Sequence, residues 1–168
     1  MIQADEIILE QVDSTHKVII DNIWQYYELE SSSYTRTDVD ISGRFTSLES
    51  FLDRVGLQDT FECGFIIRYR GHIAGLLIIG DEFINGKPIK EFSDIYVLPK
   101  YRGCGIASQL ISTIILISED TWLICVFRKD EKALAFWRNT FARLPFDSVV
   151  ENIPPENIDL HEFIISKR

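Results

Sequence analysis

The segment Arg102-Gly103-Cys104-Gly105-Ile106-Ala107 sets a cation and two glycines immediately ahead of an apolar run with helical spacing. A helix start presents unpaired backbone N–H groups and the positive end of a dipole, which together seat phosphate oxygens. Gly103 and Gly105 remove side chains that would block the approach, and Arg102 can add charge-assisted hydrogen bonds beside the same anion. A purely structural turn would use the same residues. Other phosphate-binding patterns fit poorly: no GxxxxGK[ST] sequence occurs, and a dinucleotide GxGxxG would need a glycine where Ser108 stands. ATP and NAD are disfavoured.

Two carboxylates precede this loop. Glu91 and Asp94 lie on the run leading into it, and either can take a proton from an attacking amine, directly or through water. Period-two alternation puts them on opposite faces, so only one can look into an acceptor cleft. For each, the competing reading is a solvated strand residue or an ion pair with a nearby lysine. Tyr96 shares the face of Asp94 and reads as a packed aromatic.

These residues need a scaffold, and the chain writes one in order. Glu6 to Glu10 is β-prone, and Asp13-Ser14-Thr15 can cap a helix with Ile19, Ile20, Ile23, Trp24 and Tyr27 on one face. The polar stretch Glu30 to Thr37 reads as the loop that ends it. Thr46 with Glu49 has capping-box spacing and announces a second helix closed by Gly56. Cys63–Tyr69 and His72–Ile79 flank a hairpin turn at Arg70-Gly71, and Glu91–Val97 is a third antiparallel strand after the turn-like residues 85–88. Pro99 stops that strand. Ile106, Ala107, Leu110, Ile111 and Ile114 then mark a helix up to about Ser118. Thr121 to Phe127 is a buried strand, Asp130 to Phe141 a helix with Ala133, Phe136 and Trp137 inward, and Val149 and Phe163–Ile165 mark two last strands joined through Pro154-Pro155. The order β, α, α, β, β, β, α, β, α, β, β implies an α+β fold: a mixed, mostly antiparallel sheet with helices on both faces.

At 168 residues and 46% hydrophobic content, one domain spanning 1–168 is expected. No apolar run is long enough to cross a membrane and the start lacks a secretion-signal layout, so a soluble, cytoplasmic protein is expected. Cys63, Cys104 and Cys125 share no metal-ligand spacing and read as free thiols; Cys104 reads as a small loop residue. A net charge of −9 argues against nucleic acid and suits a cationic amine.

Arg102-x-x-Gly105-x-Ala107, following a strand that ends Val97-Leu98-Pro99, resembles the acetyl-CoA signature of the GNAT superfamily of N-acyltransferases. Asp130-Glu131-Lys132-Ala133-Leu134-Ala135-Phe136-Trp137 resembles that family's helix pattern of asparagine, two residues, alanine, two residues, phenylalanine, tyrosine. The resemblance implies a GNAT fold with acetyl-CoA as co-substrate and no metal. It implies a cofactor seat made of Ile95, Tyr96 and Val97, whose backbone would pair with the pantetheine arm, the loop from Arg102 through Gly103, Cys104, Gly105 and Ile106 to Ala107, and Asp130, Phe136 and Trp137. Glu91 stands where some members hold a catalytic glutamate, with Asp94 the rival.

The departures are specific. Trp137 replaces the tyrosine that many members use as general acid toward the thiolate, and its indole N–H is too weakly acidic for that role. Asp130 replaces the asparagine. A subset of the superfamily resembles this chain in carrying Phe-Trp-Arg, matched by Phe136-Trp137-Arg138. The expected reaction is direct attack of a primary amine on the acetyl group, with the oxyanion held by a backbone N–H of the Ile95–Val97 strand. A small cationic acceptor is expected, approached by Trp24, Tyr27, Glu28, Glu30 and Tyr34, although Trp24 and Tyr27 also read as the inner stripe of their helix. The alternatives are an acyl-CoA-binding sensor without turnover, and a protein lysine or N-terminal acetyltransferase. By analogy with the superfamily, a homodimer would form through the last strands near Phe163.

Overall fold

The computed structural model describes residues 6–45, 62–84, 86–154 and 157–166. The expected helix at Thr46–Gly56 lies outside the described residues, as does Pro155. Within them the elements are β1 (Ile7–Gln11), α1 (Lys17–Thr35), β2 (Glu62–Tyr69), β3 (His72–Ile84), β4 (Lys87–Val97), α2 (Ile106–Ile114), β5 (Trp122–Phe127), α3 (Glu131–Arg143), β6 (Ser148–Asn152) and β7 (Leu160–Ser166). The fold is α+β. Its strands form a seven-stranded sheet in the order β1-β2-β3-β4-β5-β7-β6, in which β1 with β2, β5 with β7 and β6 with β7 are antiparallel and β4 with β5 parallel. The residues gather into two compact units, 1–78 with 94–104, and 79–93 with 105–168.

In the first unit, Ile20 and Ile23 of α1 pack with Val12, Ile66, Leu76, Ile78 and Tyr96, and Ile19, Trp24 and Tyr27 border that core. This is the apolar stripe its 3.6-residue period predicts. Asp13 caps the short turn before α1 by accepting from the Thr15 N–H at 2.8 Å. The hairpin at Arg70-Gly71 has positive φ at both residues, 52° and 79°, as a two-residue primed turn requires.

β3 runs to Ile84, past the expected Ile79, and α2 ends at Ile114, short of Ser118; two further boundaries differ from the sequence expectation. The stretch expected to be a loop from Glu30 is helical to Thr35. The hydroxyls of Ser31, Ser32, Ser33 and Thr35 donate to the carbonyls of Glu28, Leu29, Glu30 and Ser31, so residues that usually compete with the helix are absorbed into it. Arg36 then closes α1 in the left-handed region at φ 64°, its N–H on Ser32 O. The second difference is β4, which begins at Lys87 instead of Glu91, with Pro88 as its second residue. Proline is tolerated at the start of a strand, and Ile89 is buried there, so the hairpin is longer than its polar surface suggests.

In the second unit, Trp137 and Phe92 meet edge to face at 5.7 Å, Phe141 stacks on Trp137 at 5.6 Å, and Phe163 of β7 lies 5.1 Å from Phe141. Ile106, Leu110, Ile111 and Ile115 are buried along α2 and its C-terminal turn.

Candidate functional site

The phosphate-type loop is built by a sequence of backbone constraints. Val97 ends β4, Pro99–Tyr101 form one 3-10 turn, Arg102 is extended, and Gly103 and Gly105 have φ of 76° and 77°. A Cβ at Gly103 would meet nothing within 4 Å, so in the chain itself this glycine is required by its left-handed φ rather than by crowding. Gly105 is the N-cap of α2 and carries no side chain to bond the first-turn N–H groups. The helix therefore begins without a side-chain cap hydrogen bond on its first-turn amides. Cys104 is half-buried, its N–H 3.4 Å from Tyr101 O, while Ile106 is buried and Ala107 half-buried.

The end of β4 presents its backbone in a defined direction. The N–H of Leu98 donates to Ala74 O of β3 at 2.8 Å, and Tyr96 O is the atom that a Cβ on Gly75 of β3 would strike at 1.9 Å. Alternation then turns the backbone groups of Ile95 and Val97 away from β3. The parallel register of β4 on β5 comprises Lys90↔Trp122 and Glu91↔Leu123 and goes no further.

Arg102 does not project freely. Its Nε donates to Val97 O at 2.8 Å, its Nη2 donates to both carboxylate oxygens of Glu30 at 2.9 and 2.8 Å, and its guanidinium lies 5.4 Å from the centre of the Tyr96 ring. Tyr96 is itself buried and donates its hydroxyl to Glu30 at 2.7 Å. One helical turn earlier, Tyr27 donates its hydroxyl to Asp94 at 2.7 Å. Burial, with the facing Asp94 carboxylate, pushes the Tyr27 phenol far above its ordinary value. Burial and the Glu30 hydrogen bond raise Tyr96 in the same way. Both phenols stay protonated donors across the neutral range. Sequence reading assigned Glu30 to the acceptor region; nothing along the chain signals its ion pair with a residue 72 positions away.

Glu91 sits in another neighbourhood. It accepts from the Ser93 hydroxyl at 3.0 Å and shares its surroundings with Glu82, Glu162 and Cys125. Burial first, and those three carboxylates second, push the Cys125 thiol up to about 12, so it stays a thiol and not a nucleophile at neutral pH. Asp130 caps α3 by accepting from the Ala133 N–H at 2.9 Å. Of the two aromatics expected to face inward, Trp137 is buried in the aromatic cluster and Phe136 is half-buried, its ring 5.4 Å from that of Trp137.

The model of the acetyltransferase (GNAT) family matches residues 23–141. Comparison with curated proteins returned no match. Among solved structures, the chain is similar to an acetyltransferase from Thermus thermophilus, with a TM-score of 0.67 at 13% identity over 95% of this chain and 96% of that one. A mutant of the spermidine N-acetyltransferase SpeG of Vibrio cholerae gives a TM-score of 0.56 at 14% identity over 96% and 93%. RimL, a ribosomal-protein α-N-acetyltransferase in complex with coenzyme A, gives 0.58 at 16% identity over 97% and 96%. At these identities the likeness is one of fold.

Proposed function

Because the chain belongs to the acetyltransferase (GNAT) family, we propose that its 168 residues act as one domain transferring an acetyl group from acetyl-CoA to the primary amine of a small, cationic acceptor. The observation that carries this reading is the start of α2. It follows two left-handed glycines, has no side-chain cap, and is joined by the turn over residues 98–105 to a strand end whose Ile95 and Val97 backbone groups face away from β3. The first-turn amides suit the pyrophosphate, and the backbone of Ile95 and Val97 suits an extended amide-bearing arm, much as a strand edge takes a peptide. A backbone N–H of the same strand is then a preorganised donor for the developing oxyanion.

Glu91 is the preferred base and Asp94 the rival. Each carboxylate accepts from a neighbouring hydroxyl, Ser93 on Glu91 and Tyr27 on Asp94, which orients it for proton transfer. With an indole at Trp137, protonation of the departing thiolate falls to solvent. The net charge of −9 favours a cationic acceptor, and spermidine, the substrate in the name of the Vibrio structure, is one member of that class.

The test is thiol release from acetyl-CoA against polyamines, aminoglycosides, amino acids and basic peptides, with Glu91→Gln and Asp94→Asn in parallel. The expected result is turnover on at least one small cation, a loss of about 10²-fold or more in Glu91→Gln and a few-fold effect in Asp94→Asn. The reverse ranking moves the base to Asp94. Acetyl-CoA binding with no turnover on any amine replaces the enzyme reading with a binding module, and turnover confined to peptides makes the acceptor a protein.

A further inference from the structure

Arg102 is the only cation in the loop between Tyr101 and Ala107, and its charge is already spoken for within the chain. Three groups hold one guanidinium: the Val97 carbonyl at 2.8 Å, the Glu30 carboxylate on two oxygens, and the Tyr96 ring face. An arginine neutralised by a carboxylate adds little attraction for a phosphate, but one held by three groups has its direction set. Arg102 is also the residue from which the chain enters Gly103, so fixing its side chain fixes the departure of the loop. Glu30 belongs to α1, and its carboxylate is engaged on both oxygens: Oε1 accepts from Tyr96 and Arg102, and Oε2 from Arg102. With its charge already matched by Arg102, Glu30 is better read as part of this internal link than as a ligand for a cationic acceptor.

We propose that Glu30 is a positioning residue for the acyl-CoA loop, acting through Arg102, so that α1 sets the loop's readiness for the pyrophosphate without touching the ligand. Tyr27 on Asp94 adds a second tie from α1 to β4 two residues before Tyr96, so the helix grips both the strand and the loop. The proposal rests on the acetyl-CoA reading of the loop and specifies how that loop is held.

Calorimetric binding of coenzyme A to the wild type, Glu30→Gln, Arg102→Gln and the double variant tests it, with kcat and both KM values where an acceptor has been found. The pair is partly exposed, so each single variant should bind coenzyme A about fivefold more weakly. The double variant should bind no worse than either single one, because both break the same contact. In turnover, KM for acetyl-CoA should rise by the same factor, with kcat and the acceptor KM within about twofold. Tighter binding by Glu30→Gln would overturn the proposal, since Glu30 would then be competing with phosphate for Arg102. So would a rise confined to the acceptor KM, or additive losses in the double variant. A lowered melting temperature with unchanged coenzyme A binding would also overturn it, as a purely structural link. If Glu30→Gln fails to fold, Arg102→Gln reads the same contact from the other side. Absence of binding by the wild type sinks the acetyl-CoA reading first, and is distinguishable because no variant is needed to see it.

Discussion

Glycines at two places in this chain have different jobs, and the difference is measurable. At Gly103 the need is a left-handed φ, whereas at Gly75 the need is space: a Cβ there would lie 1.9 Å from Tyr96 O and 3.1 Å from the Val97 Cα. Gly75→Ala must push β4 outward at the residues whose backbone faces the proposed pantetheine arm. The expected cost is about 1–3 kcal/mol of stability, read as a lower denaturation midpoint, accompanied by weakened acetyl-CoA binding. A variant of unchanged stability and affinity would mean that β3 and β4 separate freely at this point. The glycines and arginine of the loop were legible in the sequence because their spacing is local. The partner of Arg102 was not, because an ion pair across 72 residues leaves no periodicity and no neighbouring motif.

At the level of elements, stripes with a clear period were legible and polar segments were not. The inner face of α1 and the helix from Asp130 follow from apolar spacing, while the cap that Asp130 gives α3 is seen only in the structure. The last two turns of α1 were hidden because serine and threonine ordinarily argue for a loop, and only their back-donated hydroxyl bonds reveal the helix. The tie between α3 and β6 was likewise invisible: Arg138 donates to Glu151 at 2.5 and 3.2 Å, and His161 Nδ1 of β7 lies 2.9 Å from the same carboxylate. The Arg138 hydrogen bond, outweighing partial burial, holds Glu151 below its ordinary 4.5. A lowered folded value means that this stabilisation is complete above pH 4.5 and disappears as pH falls through the lowered value. Glu151→Gln should therefore melt below the wild type at pH 7, by the equivalent of at most about 1 kcal/mol for so exposed a pair, with the gap closing in acid. A gap that is constant with pH would assign the effect to packing.

For the molecule as a whole, charge predicts behaviour that no single residue does. At a net charge of −9, a cationic acceptor is attracted over distances comparable to the Debye length, so its kcat/KM should fall as salt rises from about 0.02 to 0.5 M, while an uncharged amine should show little change. Equal salt responses for the two would leave the acidic surface with no part in substrate capture. The α+β class and the order of the described elements were legible at this scale, because alternating and helical apolar patterns follow one another with few interruptions. The strand order was not, since nothing in the last segments says which of them goes inside. That order bears on how the chain is made. β7 follows β6 in the chain yet lies between β5 and β6 in the sheet, pairing β5 from Trp122↔Ile165 to Phe127↔Leu160. On the ribosome, β5 must therefore wait, with Leu123, Ile124 and Val126 already synthesised and their strand edge open, until the segment that fills the gap has emerged. The half of the protein that carries α3 and Glu91 is completed only after synthesis has passed residue 166, and the interval before that is when the nascent chain is most exposed to wrong pairing.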